Sequence, residues 1–253
     1  MLNKALLASP KEFRVSIGTQ TYCTASVNKS SAMPGDLVTV TVRANAGYGN
    51  VKVAVSPSVE VTKVNGTTFT FVMPFTDVAV NASASALDFR INVSKTGQGT
   101  VTVKSLAKYG EVVTVTASPS KGYELSSVTA SGVTLSGSGN TRTFKMPAKD
   151  VTVNVTFAEL PSASLRLWCS NTSTYSYGVE VFVDDISQGK KYFGESGRTL
   201  YYSAKVGSLI TMAFEYGDPA SISEAVGVEV ISSSLSSPKF KVTSTSAEIT
   251  LVW

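Results

Sequence analysis

The segment Gly-Asp-Leu-Val-Thr-Val at residues 35–40 returns as Gly-Glu-Val-Val-Thr-Val at residues 110–115. In the same way, Phe-Val-Met-Pro at residues 71–74 returns as Phe-Lys-Met-Pro at residues 144–147. A sequence that repeats after about 75 residues indicates small modules in series rather than one large enzyme core. The repeat therefore predicts an architecture of several similar modules.

Each repeated segment has the alternation of a half-buried β-strand. Val38, Val40 and Val42 fall on one face, and the threonines between them fall on the other. The composition agrees, because the chain is only 16% charged and rich in β-branched residues that suit a pleated surface. We predict an all-β fold of three tandem, small β-sandwich (Ig-like) modules after a short N-terminal arm. Their bounds are predicted as 1–12 for the arm, 13–87, 88–160 and 161–253.

The third module is the divergent one. It keeps a Gly-Ser-Leu-Ile-Thr-Met segment at residues 207–212 but lacks the Met-Pro pair. The distance from its first strand to this segment is about twenty residues longer than in the first module. We therefore predict an inserted hairpin between Asn171 and Leu200.

Aromatic side chains are concentrated in and around this insertion. Tyr175, Tyr177, Tyr192 and Phe193 are the candidate binding residues, since tyrosine offers rigid contact area with a polar tip. The alternative is core packing, because on one strand Tyr175 and Tyr177 would share a face with Val179. Both interpretations stay open at this point.

The first twelve residues carry a short apolar segment. Leu2, Leu6 and Leu7 would lie on one side of a helical turn that Pro10 ends. We predict that this arm docks on other proteins of an assembly, and the alternative is an unstructured terminus. The stretch is shorter than a secretory signal requires, so we expect neither an export signal nor a membrane anchor.

The side chains available for chemistry are few. The chain has no histidine, and its two cysteines, Cys23 and Cys169, are expected to be free buried thiols. We therefore expect no catalytic residue, no metal site and no cofactor. The acids near the insertion are assigned to solvated turns, with a calcium site at Asp184 or Asp185 as the alternative; they are Glu180, Asp184, Asp185 and Glu195. The net charge of +4 is spread along the chain, which argues against a nucleic-acid partner.

Two segments carry a family resemblance. Residues 113–125 and 144–153 resemble the divergent internalin-B-type bacterial repeat. Such repeats occur in tandem in surface proteins of Gram-positive and gut bacteria and in proteins of their phages. Residues 1–9 are similar to the starts of small virion proteins of gut phages. The resemblance implies display and adhesion modules and carries over no catalytic residue.

These observations lead to one functional expectation with two alternatives. The leading hypothesis is a non-enzymatic virion component, as a capsid decoration, head fibre or tail appendage, that presents β-modules for particle or host-surface attachment. Its partners would be other virion proteins through the arm, a host glycan or protein, and further copies of the chain. The alternatives are a fragment of a bacterial cell-surface adhesin and a carbohydrate-binding module.

Overall fold

The computed structural model describes residues 11–170, 175–194 and 197–253. Every regular element in these ranges is a β-strand, which confirms the predicted all-β fold of tandem sandwich-like modules. Over the same residues, no helix is long and apolar enough to cross a lipid bilayer. The predicted docking leucines, Leu2, Leu6 and Leu7, lie outside the described residues.

Eight strands build the first module. They form two four-stranded sheets with the orders β3-β1-β8-β5 and β2-β4-β7-β6. Strands β1 and β8 run parallel, and the other described pairs in the module are antiparallel. The strands are β1 (Phe13–Thr21), β2 (Cys23–Val27), β3 (Ser31–Ala32), β4 (Leu37–Ala44), β5 (Tyr48–Ser56), β6 (Val61–Lys63), β7 (Thr68–Val72) and β8 (Val78–Ala86).

Seven strands follow in the second module and repeat this order. The sheets are β11-β9-β15-β13 and β10-β12-β14. The counterpart of β6 is reduced to a single bridge between Ser136 and Thr143. The strands are β9 (Asp88–Thr96), β10 (Gly99–Thr102), β11 (Leu106–Lys108), β12 (Val112–Pro119), β13 (Tyr123–Ala130), β14 (Thr141–Lys145) and β15 (Val151–Glu159).

Nine strands form the third module, with the sheet orders β19-β16-β24-β21 and β18-β17-β20-β23-β22. Strand for strand, these are the two sheets of the first module with one addition, the edge strand β18. The strands are β16 (Ser162–Ser170), β17 (Tyr177–Val183), β18 (Ile186–Phe193), β19 (Arg198–Lys205), β20 (Leu209–Glu215), β21 (Ser221–Val226), β22 (Val228–Ser232), β23 (Lys239–Val242) and β24 (Ser246–Val252). The added strand lies inside the stretch where the sequence predicts an insertion.

The repeated segments supply the cores, as their alternation predicts. In β4, Val38, Val40 and Val42 are buried while their neighbours are not. The phenylalanine and methionine of each Phe-x-Met-Pro segment are also buried, and Phe240 and Val242 take these places in the third module. Burial of large apolar side chains stabilises each module by removing apolar surface from water.

In the first and second modules, an aspartate side chain holds the first strand by a hydrogen bond. The carboxylate of Asp77 accepts the backbone N–H of Arg14 at 2.8 Å, and that of Asp150 accepts the N–H of Arg90 at 2.7 Å. Each aspartate follows shortly after its Phe-x-Met-Pro segment, where the sequence predicts a side chain that accepts backbone N–H groups. In the third module, the backbone carbonyl of Thr245 accepts the N–H of Ser164 at 3.0 Å instead.

Both cysteines are buried and free, Cys23 in the first module and Cys169 in the third. Burial raises the pKa of the Cys169 thiol to about 12. A thiol that stays protonated at neutral pH is a poor nucleophile, so this side chain acts as an apolar core residue.

Grouped by contacts, the chain divides into two compact units. The first unit contains the whole first module, and the second contains the whole third module. This division separates parts of the second repeat, so it does not follow the predicted module boundaries there. The boundaries stay predictions. The units are Met1–Ser94 with Thr102–Thr116 and Val128–Asn154, and Lys95–Val101 with Ala117–Ser127 and Val155–Trp253.

Candidate binding surface on the third module

One end of the third module is built around Trp253. Its ring lies 4.8 Å from that of Phe193 and 5.6 Å from that of Tyr177, between ring centroids. On another side it meets Phe214 at 5.5 Å. The indole N–H donates to the carbonyl of Gly217 at 3.0 Å, which fixes the ring orientation. The rings of Phe193 and Phe214 pack edge to face on Trp253 and that of Tyr177 is tilted against it, so the four rings form one aromatic cluster.

Two exposed tyrosines lie next to Tyr177, one member of this aromatic cluster. Tyr175 is 73% exposed and Tyr216 is 72% exposed. With Ser176 and Tyr177 they line a shallow cleft of about 410 Å³. Tyr216 has a φ of 68°, a left-handed conformation that non-glycine residues rarely adopt. Strained backbone of this kind is concentrated at functional sites.

A polar network joins β18 to the end of β20, the residue before Tyr216. The hydroxyl of Tyr192 donates to Glu215 Oε2 at 2.8 Å, and the Lys190 ammonium lies 3.0 Å from the same oxygen. The hydrogen bond from Tyr192 and then that from Lys190 hold the pKa of Glu215 below its usual value. The same hydrogen bond raises the pKa of Tyr192, because the carboxylate favours the protonated hydroxyl. Glu215 is therefore ionised and Tyr192 neutral at physiological pH.

We call Tyr175, Tyr177, Tyr192 and Tyr216 the tyrosine surface. It offers flat rings with hydroxyl tips, and rigid aromatic area of this kind suits contact with a protein or a sugar. Among the described residues, no group of three His, Cys, Asp or Glu side chains could hold a metal ion. The exposed rings, and not this absence, are what supports a binding role for the surface.

The predicted site residues divide between surface and core. Tyr175 and Tyr192 are exposed, and Tyr177 is half-buried at the edge of the core. Phe193 is only 4% exposed, so it packs in the core instead of meeting a partner. The reason is its position opposite Tyr177 across β17 and β18, next to Trp253.

Sequence reasoning missed Tyr216 and Glu215, which lie at the end of β20, some forty residues after Tyr175. One signal was available. Tyr216 and Gly217 follow a Val-Thr-Val-like strand, just as Gly47 and Tyr48 do in the first module. Comparing the three copies would have placed a tyrosine at this end of the module.

Two acids of the insertion, Asp184 and Glu180, make hydrogen bonds within the third module. Burial alone would raise the pKa of Asp184, but hydrogen bonds from the Leu209 N–H and the Ser208 hydroxyl, with Lys121 nearby, hold it below the usual value. These two bonds are 3.0 and 2.8 Å long. Glu180 accepts the Ser187 hydroxyl at 2.5 Å. Glu195 lies outside the described residues.

The family model of the divergent InlB B-repeat domain matches residues 13–85 and 89–161. Together the two matches span more than half of the 253 residues. The chain belongs to this family. The match confirms the resemblance read from residues 113–125 and 144–153. The match supports a display or adhesion role for the chain.

Several solved structures are similar to this B-repeat protein at low identity. The Bacillus anthracis TIE protein is 10% identical, with a TM-score of 0.40, over 96% of this chain and 49% of that one. This chain therefore spans about half the length of that protein. A Mobiluncus mulieris adhesin with intramolecular disulfide, isopeptide and ester cross-links is 14% identical, with a TM-score of 0.29, over 92% and 97% of the two chains. The pilus adhesin SpaC of Lactobacillus rhamnosus GG is 8% identical, with a TM-score of 0.28, over 96% and 43%. No curated protein matches the sequence.

Proposed function

We propose that this protein is a non-enzymatic display protein whose tyrosine surface contacts a partner protein or glycan on a cell. The observation that carries the proposal is the pair of highly exposed rings, Tyr175 and Tyr216, which line one cleft with Tyr177, a ring packed on Trp253. Two tandem repeats of the divergent InlB B-repeat family precede the module that carries this surface. Rigid exposed tyrosines lose little conformational entropy on binding, which favours a contact role.

The experiment compares one double variant with one single control variant on the same probes. The Tyr175→Ser/Tyr216→Ser variant and the Tyr201→Ser control are applied to a glycan array and to whole cells of a panel of Gram-positive gut bacteria. Tyr201 is the matched control because it is 70% exposed on β19, in the other sheet. We expect the double variant to bind at least about tenfold more weakly, since losing two contact tyrosines costs about 1–2 kcal/mol each or more. Equal loss in the control, or no loss in the double variant, would remove the tyrosine surface from the proposal.

We further propose that the chain is a virion component of a phage that infects a Gram-positive or gut bacterium. Support comes from the start of the sequence, which is similar to small virion proteins, and from the apolar residues Leu2, Leu6 and Leu7. In this proposal the arm docks on other virion proteins and the third module faces outward. Removing residues 1–10 should then abolish incorporation. Lys11 and Glu12 are kept in that variant because they contact Phe13 and Ser31 of the first module.

A second candidate location is the bacterial cell surface. Tandem repeats that resemble these modules also occur in bacterial surface proteins, so a fragment of an adhesin would carry the same modules. Both locations use the tyrosine surface in the same way. Assembly into a homo-oligomer remains a prediction in either case. Fractionation of phage particles and cell envelopes distinguishes the two locations.

A further inference from the structure

Successive modules meet at joints that use the same two backbone hydrogen bonds. At the first joint, the N–H of Leu87 donates to the carbonyl of Gly47 at 2.9 Å. The carbonyl of the same Leu87 accepts the N–H of Tyr109 at 2.9 Å. One linker residue thus connects the Gly-Tyr turn of the first module with the Tyr-Gly turn of the second. All of these residues belong to the first compact unit.

The second joint divides these bonds between two residues. The N–H of Leu160 donates to the carbonyl of Gly122 at 2.8 Å, and the carbonyl of Pro161 accepts the N–H of Val206 at 3.0 Å. Proline has no N–H, so Pro161 cannot make both bonds. The linker is one residue longer as a result, which adds up to about 3.5 Å of reach. This joint lies entirely in the second compact unit.

A tyrosine ring fills the first joint. A Cβ placed on Gly47 would lie only 2.3 Å from Cγ of Tyr109, so the ring lies directly on the glycine backbone. The ring also meets Tyr48 edge to face at 5.4 Å, and Tyr48 stacks on Tyr22 at 4.3 Å. The joint is packed because an aromatic side chain and a bare backbone fit together.

The second joint lacks this ring. Val206 stands in the position of Tyr109, and Gly122 stands in that of Gly47. A Cβ placed on Gly122 would meet no atom nearer than 3.9 Å, the Cγ of Lys205. In place of the ring there is a cleft of about 670 Å³, whose lining includes Gly122, Tyr123, Leu160 and Val206. The shorter side chain and the longer linker both open it.

The charged side chains at the rim of this cleft form ion pairs with one another. Lys121 Nζ lies 3.5 Å from Asp184 Oδ1, and Lys205 Nζ lies 2.7 Å from Glu159 Oε1. Each charge that borders the cleft in these pairs therefore has an opposite partner. The uncharged part of the lining includes apolar side chains, among them Leu160 and Val206, together with serines and Gln188. Such a cleft favours a neutral, flat group over an ion, because an ion would have to displace an existing pair.

We propose that the second joint binds an aromatic ring supplied from outside the chain, in the position that Tyr109 occupies at the first joint. The first joint shows the seated group and the surface that receives it. The ring has two possible sources, a tyrosine or phenylalanine side chain of a partner protein and a free phenol-like molecule. This second binding site is independent of the tyrosine surface.

The test uses 4-methylphenol, the side chain of tyrosine as a free molecule, titrated into the full chain and followed by amide NMR. We expect saturable shifts at Gly122 and Tyr123 with a dissociation constant of about 1 mM, typical of a ligand this small. N-acetyl-tyrosine amide in a parallel titration represents the protein source, and binding at least as tight would favour a partner side chain. 4-Methylcyclohexanol, which is not flat, should leave both amides unchanged.

Two reciprocal variants decide the proposal. Val206→Tyr supplies the ring internally and should weaken 4-methylphenol binding at Gly122 by at least about tenfold. Tyr109→Val empties the first joint and should create a second set of shifts at Gly47 and Tyr48. If the parent chain shows no saturable shift at Gly122, or if Val206→Tyr binds as the parent does, the proposal is wrong. Should Val206→Tyr fail to fold, the absence of new shifts in Tyr109→Val contradicts it equally.

Discussion

We expect the Phe240→Ala variant to lose about 3–5 kcal/mol of unfolding free energy in the third module, the cost of emptying a large buried site. Phe240 is completely buried and lies opposite Ile210 on β20 and Val230 on β22. The loss would remove much of the stability of a typical domain. Denaturation followed by tryptophan fluorescence measures it locally, because Trp168 and Trp253 are the only tryptophans and both belong to the third module.

The control for this prediction is Lys241→Ala on the same strand. Lys241 is the exposed neighbour of Phe240, and exposed substitutions usually change stability by less than about 0.5 kcal/mol. A comparable loss in both variants would mean that β23 does not present Phe240 to the core. That result would overturn the assignment of the third module as a divergent copy of the first.

The second large effect is expected at the first joint, where Gly47→Ala should be costlier than Gly122→Ala. Both glycines have positive φ, 82° and 79°, so alanine is strained equally at each, by about 1 kcal/mol or more. At Gly47 the new methyl group also collides with the ring of Tyr109. Overpacking adds about 1–3 kcal/mol there and nothing at Gly122.

Amide hydrogen exchange measures this difference at the joint itself. In Gly47→Ala, protection at Leu87 and Tyr109 should fall about 10- to 100-fold further than protection at Leu160 and Val206 falls in Gly122→Ala. These are the amides that carry the two joints. Equal losses at both joints would show that the Tyr109 ring is not seated on Gly47 in solution.

Much of the fold could be predicted from the sequence because it depends on local patterns. The valines of β4 alternate, and Asp77 and Asp150 precede the last strand of their repeats, so their roles follow from position alone. The two repeats are recognisable because each supplies the same residues to the same core positions. The added strand β18 was predictable as an insertion from spacing, although not its place at a sheet edge.

The proposed binding surface could be predicted only in part, because it joins distant parts of the chain. Tyr175 and Tyr192 were predictable from aromatic clustering. Phe193 could not be assigned to the core without Trp253, which follows it by sixty positions and packs on it. Tyr216 was missed for the same reason, since it reaches the cleft from the end of another strand.

The joints show how one repeat unit acquires two properties. Their backbone hydrogen bonds are the same, so the difference between a packed joint and an open cleft depends on two local changes. These are valine in place of Tyr109 and one extra linker residue before Pro161. In this proposal, a module series gains a binding site through these two changes, with no change in strand order.

The most direct measurement for the function is the protein composition of purified phage particles, determined by mass spectrometry beside the host cell-envelope fraction. The display role in a virion predicts peptides of this chain in the particles, in a constant ratio to the major capsid protein across preparations. It also predicts their loss from particles when residues 1–10 are removed. Peptides found only in the cell-envelope fraction would contradict it.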